Sequence, residues 1–211
     1  MKRTPFIIGG IAVITVLWWA FPPFHVRSLK EVRAAQVSMQ FNPTNFVAKF
    51  WQDELLSATK HAADAAKVVE TIAGNPKQVR KEFGRSVGIG STYYLFLRGT
   101  GRIVSVSEDS IGLSLENTGD TVDVSVALGP VFGNAVRDGT GLLNPSDYPN
   151  AQDYNGISAA LDHIVETKVL PEVQQIARVG VRVQFAGCAE VDDEDLDLKP
   201  LNLVPIYVKN E

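Results

Sequence analysis

From Thr4 to Val26 the chain carries no Lys, Arg, Asp or Glu, and this stretch limits every later reading. A helix that crosses the hydrocarbon core of a bilayer needs roughly 20 mostly apolar residues. Phe6 to Phe21 and its flanks supply them, with Trp18 and Trp19 at the far end, where aromatic side chains suit the interface. Lys2 and Arg3 precede the stretch, so the positive-inside bias keeps that tip in the cytoplasm and places everything after Arg27 on the other side. The alternatives are a cleaved secretory signal and a buried core helix. Cleavage fits poorly, because Trp18-Trp19-Ala20 followed by Phe21-Pro22-Pro23 lacks the small-x-small exit that processing requires. Cys188 is the only cysteine, so none stands at the junction to take a lipid. The expectation is a single-pass inner-membrane protein: residues 1–26 form the cytoplasmic tip and anchor, residues 4–26 contact the membrane, and the C-terminal part lies in the periplasm or outside.

The remaining residues suffice for one domain with a real core. With 20 Lys+Arg against 24 Asp+Glu, the net charge of −4 argues against a nucleic-acid partner, which calls for a basic face. A single cysteine cannot form an internal disulfide, so packing must hold the fold. His25, His61 and His163 show no metal-ligand spacing, and no phosphate loop, nucleophile elbow or Cys-x-x-Cys is present. Neither a metal nor a cofactor is expected.

Residues 27–84 read as a juxtamembrane connector followed by helices. Asn42-Pro43-Thr44 is a helix start, with proline suited to the first turn. Phe46, Val47, Phe50, Trp51, Leu55 and Leu56 recur at helical spacing, and Ala62, Ala65, Ala66, Val69 and Ile72 continue that face to Gly74. Phe46, Phe50 and Trp51 are either core packing or a partner-binding face. Over 85–211 the period changes. Ser91–Arg98, Gly101–Val106, Ile111–Leu115 and Thr121–Val126 are β-rich, with Asn117-Thr118-Gly119-Asp120 as a hairpin turn. A helix from about Asn150 to Val173 and strands at Val181–Ala186 and Leu201–Val208 follow. If the first strand bends at Gly99-Thr100-Gly101, five strands can curl into a small barrel. The predicted class is therefore α+β: an anchor helix, a helical segment, then an OB-like five-stranded barrel with a helix between strands 3 and 4. A flatter α+β sheet is the alternative.

The most distinctive segment is Gly129-Pro130-Val131-Phe132-Gly133-Asn134-Ala135-Val136-Arg137-Asp138-Gly139-Thr140. Arg137 beside Asp138 can offer a planar fork of donors to an anionic or polyol ligand; it can equally be a structural clamp. In Asn150-Ala151-Gln152-Asp153-Tyr154-Asn155-Gly156-Ile157-Ser158, Asn150 is a good N-cap and Asp153 a favoured first-turn acid. Tyr154 and Ser158 share a face four residues apart and, with Asp162, can line a polar wall. The candidate ligand site is thus Arg137, Asp138, Asp153, Tyr154 and Ser158, with Arg137 and Asp138 at a rim or cleft beside the N-terminal end of the Asn150 helix. The acidic run Asp192 to Asp197 lacks calcium-loop spacing and reads as a solvated turn.

The Phe46-Val47 to Trp51 helix start, Gly99-x-Gly101-x-Val, Gly129-Pro130-Val131 leading to Val136-Arg137-Asp138, and Asp153-Tyr154-x-x-Ile157-Ser158-x-x-Leu161 together resemble domain-of-unknown-function family 2291, predicted periplasmic lipoproteins. The likeness runs from about Phe41 to Val208. It implies an extracytoplasmic, membrane-tethered domain often encoded beside sugar-type ABC transporters, and it implies no activity. The functional expectation is a non-catalytic binding module for a small polar ligand or a transporter component. A structural tether or assembly factor working through Phe46, Phe50 and Trp51 is the second reading. A hydrolase or transferase built on Arg137, Asp138, Asp153 and Tyr154 is the third.

Overall fold

A computed structural model describes residues 41–115, 119–148, 150–194 and 196–211. The anchor expected over 1–26, the connector to residue 40 and the first two residues of the Asn117–Asp120 turn lie outside the described residues. Among the described residues no helix is long and apolar enough to cross a membrane.

Helix α1 (Pro43–Phe50) starts as its sequence dictates: the Asn42 side chain accepts the Asn45 amide at 3.0 Å, and proline fills the first turn. It runs on through a π-helical stretch, Trp51–Leu55, into α2 (Leu56–Ala58) and a 3₁₀ turn at Thr59–His61. The apolar face does not continue unbroken to Gly74 as expected. Asp64 caps a new helix by accepting the Ala66 amide, and the chain turns through the two-residue strand β1 (Ala63–Asp64) into α3 (Ala65–Gly74) and α4 (Pro76–Glu82). A local capping bond here outcompetes the continuing helical period.

Strand β2 (Tyr93–Val106) is the 14-residue spine of the barrel. Its first part pairs antiparallel with β5 (Arg182–Val191), from Tyr93 opposite Val191 to Arg102 opposite Arg182. Its last part pairs with β3 (Ser110–Ser114). A strand that serves two neighbours must curl, and its pairing with β3 shifts register between Ile103 and Ser105, just beyond the Gly99-Thr100-Gly101 bend expected from the sequence. β3 pairs with β4 (Val124–Ala127), β4 runs parallel to β6 (Leu201–Asn210), and β6 pairs with β5, so the ring β2-β3-β4-β6-β5 closes on itself. Each strand of the ring is paired on both sides over part of its length. Leu95, Leu97, Ile103, Leu113, Val126, Val183 and Phe185 are fully buried, and burying each such side chain stabilises by about 1.5–3 kcal/mol.

Between β4 and β5 come α5 (Ala135–Gly139), α6 (Ala151–Ile164), a second π-helical stretch (Val165–Val169) and α7 (Leu170–Ile176). The last two pack on β6 through buried Val169 and Val173. The barrel and its inserted helix thus match expectation, while α5 was not anticipated. The division at residues 84 and 85 is corrected: Asn42–Glu211 is a single compact unit, because α1 packs against α6 and α3 against β2. Phe50 and Trp51 are correspondingly buried and Phe46 is half-buried, stacked on Phe50 with ring centroids 5.8 Å apart. That face is core packing, so these three residues do not present an open partner surface.

Candidate functional site

Two adjacent features grow from the segment Gly129–Thr140. The first is a clamp. Arg137 and Asp138 leave 5% and 3% of their surfaces exposed. Arg137 Nε donates to Asp138 Oδ1 at 2.7 Å and Nη2 to Oδ2 at 2.8 Å, a bidentate pair between sequence neighbours. Nη1 donates to the Tyr154 carbonyl at 3.3 Å and to Asn155 Oδ1 at 3.2 Å. The Tyr154 ring lies over the guanidinium, centroid 3.9 Å from Cζ, and its hydroxyl donates to Asp138 Oδ1 at 2.8 Å. Burial alone would lower the Arg137 pKa, but the hydrogen bonds and charge of Asp138 outweigh it and the net shift is upward. Burial and the bond to Asp138 push the Tyr154 hydroxyl well above its ordinary value.

The expected position beside the first turn of α6 is met, because Arg137 bonds to Tyr154 and Asn155. The expected rim or cleft is not. Both charges are buried and bond each other and α6, so the clamp, the alternative left open by the sequence, is what the geometry builds. The other candidates have local duties. The Asp153 amide donates to Asn150 Oδ1 at 2.8 Å and its carboxylate accepts Asn150 Nδ2 at 2.9 Å, a reciprocal cap. Ser158 is buried and donates to Asn134 Oδ1 at 2.8 Å. Gly139 explains how α5 lies so close to the barrel: a Cβ there would sit 3.0 Å from both Cβ and Sγ of Cys188 on β5.

The second feature is a cavity of about 400 Å³ on the outer face of the barrel. Val124 and Val126 point inward, so Ser125 and Ala127 point out; Ser125 sits in register with Asn202 of β6, placing hydroxyl and amide side by side. Ser110, Asp109 at the β2–β3 turn, and Glu190 near the end of β5 complete the polar lining, with Leu203 and Val204 among the apolar part. Phe132 stands at the mouth, 83% exposed.

The loop carrying Phe132 is tied at several points. Leu128 and Gly129 amides donate to the Asp109 carbonyl, and the Val131 amide donates to Glu166 Oε1 at 2.9 Å. The Asn134 amide favours the charged form of the Glu190 carboxylate, while Ser158 holds the Asn134 side chain. Gly133, at φ +105°, supplies the left-handed turn that a side chain would strain. Glu190 is half-buried, and burial followed by the charge of Asp192 raises its pKa; the Asn134 amide and Arg137 pull the other way. Asp162, below the loop on α6, is pushed up to about 7, by burial first and then by the charge of Glu166.

Of the cavity residues, the candidate segments of the sequence contained Phe132 and Ala135 and singled out neither. Signals did exist: a phenyl ring between a Gly-Pro turn and a glycine has little to pack against, and strict alternation turns Ser125 and Asn202 outward. The pairing of β4 with β6, which unites them, joins strands more than seventy residues apart.

A closed five-stranded barrel with a helix between its third and fourth strands, carrying a cavity on the outer strand face, is an OB-fold protein. The chain belongs to the family described as predicted periplasmic lipoprotein (DUF2291), whose model matches residues 11–209. It is similar in fold to a crystal structure of an OB-fold protein from Thermotoga maritima, with a TM-score of 0.72 and 23% identity over 81% of this chain and 99% of that one. Among curated proteins nothing matches it. Cys188, the sole cysteine in the sequence, is buried on β5.

Proposed function

We propose that this chain is a membrane-anchored, extracytoplasmic, non-catalytic binding module that holds a small polar ligand in the cavity beneath Phe132, in association with solute uptake. One observation carries the reading: polar groups from β4, β5, β6 and the β2–β3 turn converge on a cavity of about 400 Å³ with a largely exposed aromatic ring at its mouth. Ligand sites are typically concave, roughly 300–1,000 Å³, with few placed polar groups and aromatic walls. The OB-fold commonly presents its strand face and adjoining loops to ligands. The clamp supports the same reading by fixing α5 and the loop before it, so that the ring is displayed in one position. Anchoring through residues 4–26 follows from their charge-free composition and accords with the family's description as periplasmic. The sugar-type ABC association is carried by the resemblance alone. The hydrolase reading is weakened because Arg137, Asp138 and Tyr154 are consumed by one another.

The test is native mass spectrometry of the full chain extracted from membranes in mild detergent. A non-covalent small-molecule adduct should accompany the wild type and be missing from Phe132→Ala and Asn202→Ala. An intact mass that retains residues 1–26 supports the anchor, and a processed N-terminus overturns it. An adduct that survives both cavity substitutions would place the ligand elsewhere.

A further inference from the structure

We infer that the cavity beneath Phe132 is built for a small organic cation, a ligand carrying an ammonium group. This rests on the binding-module reading and names the chemistry of what is bound.

The charge of the lining has one sign. Asp109 and Glu190 are the charged residues of the cavity wall, and no Lys or Arg joins them. The cation that could balance Glu190 from behind is Arg137, but its guanidinium is already committed to Asp138, Tyr154 and Asn155. Glu190 keeps a half-buried negative charge that the Asn134 amide and the field of Arg137 only partly offset, while Asp192 and Asp138 add like charge. A positive ligand removes that imbalance. A neutral polyol leaves it in place, and an anion makes it worse.

The aromatic ring selects further. Phe132 stands in a loop tied on both sides of it, the Val131 amide to Glu166 and the Asn134 side chain to Ser158. A ring fixed at the mouth of an acidic cavity offers its negative face to a cation. An organic ammonium satisfies ring and carboxylates together, whereas an inorganic divalent ion makes no use of the ring. Among the described residues no group of three or more His, Cys, Asp or Glu is arranged to hold a metal ion. Ser125 and Asn202 then serve as hydrogen-bonding partners for the N–H or hydroxyl groups of the ligand. Because the loop is tied before any ligand arrives, little ordering remains for binding to impose.

The experiment is isothermal titration of the full chain in detergent micelles with choline and putrescine as cationic probes, glucose and ribose as neutral probes, and calcium chloride. At least one ammonium probe should bind saturably. Binding should weaken about tenfold or more in Glu190→Gln and about fivefold in Phe132→Leu, which keeps an apolar side chain but removes the π face. Matching thermal unfolding of both variants with the wild type shows that the fold is intact. Binding of a sugar or of calcium, unaffected by Glu190→Gln, overturns the cation assignment and leaves the binding-module reading standing. If no probe binds although a native-mass adduct persists, the assignment is again overturned. If no probe binds and no adduct is found, both readings fall.

Discussion

Tyr154 lies across Arg137, its ring 3.9 Å from the guanidinium carbon, and from the same position donates its hydroxyl to Asp138 at 2.8 Å. One side chain from α6 thus covers the positive partner and bonds the negative partner of an ion pair on α5. Since the Gly129–Asn134 loop leads directly into α5, the clamp also determines where Phe132 stands.

Arg137→Ala should therefore unfold easily. It leaves a buried carboxylate without its counter-charge, and breaking a buried pair in this way costs about 3–5 kcal/mol. Chemical denaturation with an unchanged denaturant slope and a lowered midpoint is the expected result. Tyr154→Phe keeps the stacked ring and removes one hydrogen bond to a charged group, at a cost of about 1.5–3 kcal/mol.

The barrel was legible because its strands declare themselves locally, through alternating residues and turn residues between strands. The boundary of α6 was legible because Asn150 and Asp153 form a cap within three residues. The burial of Arg137 was not, because it depends on Tyr154 and Asn155 arriving from another helix, and an Arg-Asp pair reads alike on a surface and in an interior. The cavity was illegible for a related reason. Its wall joins Asp109, Ser125, Glu190 and Asn202 through strand pairings that no short window of sequence contains.

Asp162 gives the protein a pH dependence of definite sign. Its pKa rises from an ordinary 3.8 to about 7 in the folded state, so between those values the folded chain binds more protons than the unfolded one. Stability contributed by this group is then lost as pH rises through that window. Asp162→Asn should flatten the profile and raise the melting temperature above pH 7, while changing little near pH 4. A melting temperature measured across pH 4–8 on both proteins decides it.

Cys188 is fully buried, and desolvation pushes its thiol pKa well above the ordinary value. Thiolate is the reactive form, so iodoacetamide should fail to label native protein and label it promptly in denaturant. Native labelling on the same timescale would mean that β5 opens locally.

The division of labour between clamp and cavity is tested by comparing Arg137→Ala with Phe132→Ala in two readouts, melting temperature and the ligand mass retained by the full chain in native mass spectrometry. Phe132→Ala should melt with the wild type and lose the ligand, because an 83% exposed ring contributes little to the core; Arg137→Ala should melt far lower. The opposite pattern, a stable Arg137→Ala that has lost the ligand beside a Phe132→Ala that retains it, would put the binding site at Arg137 and contradict the assignment made here.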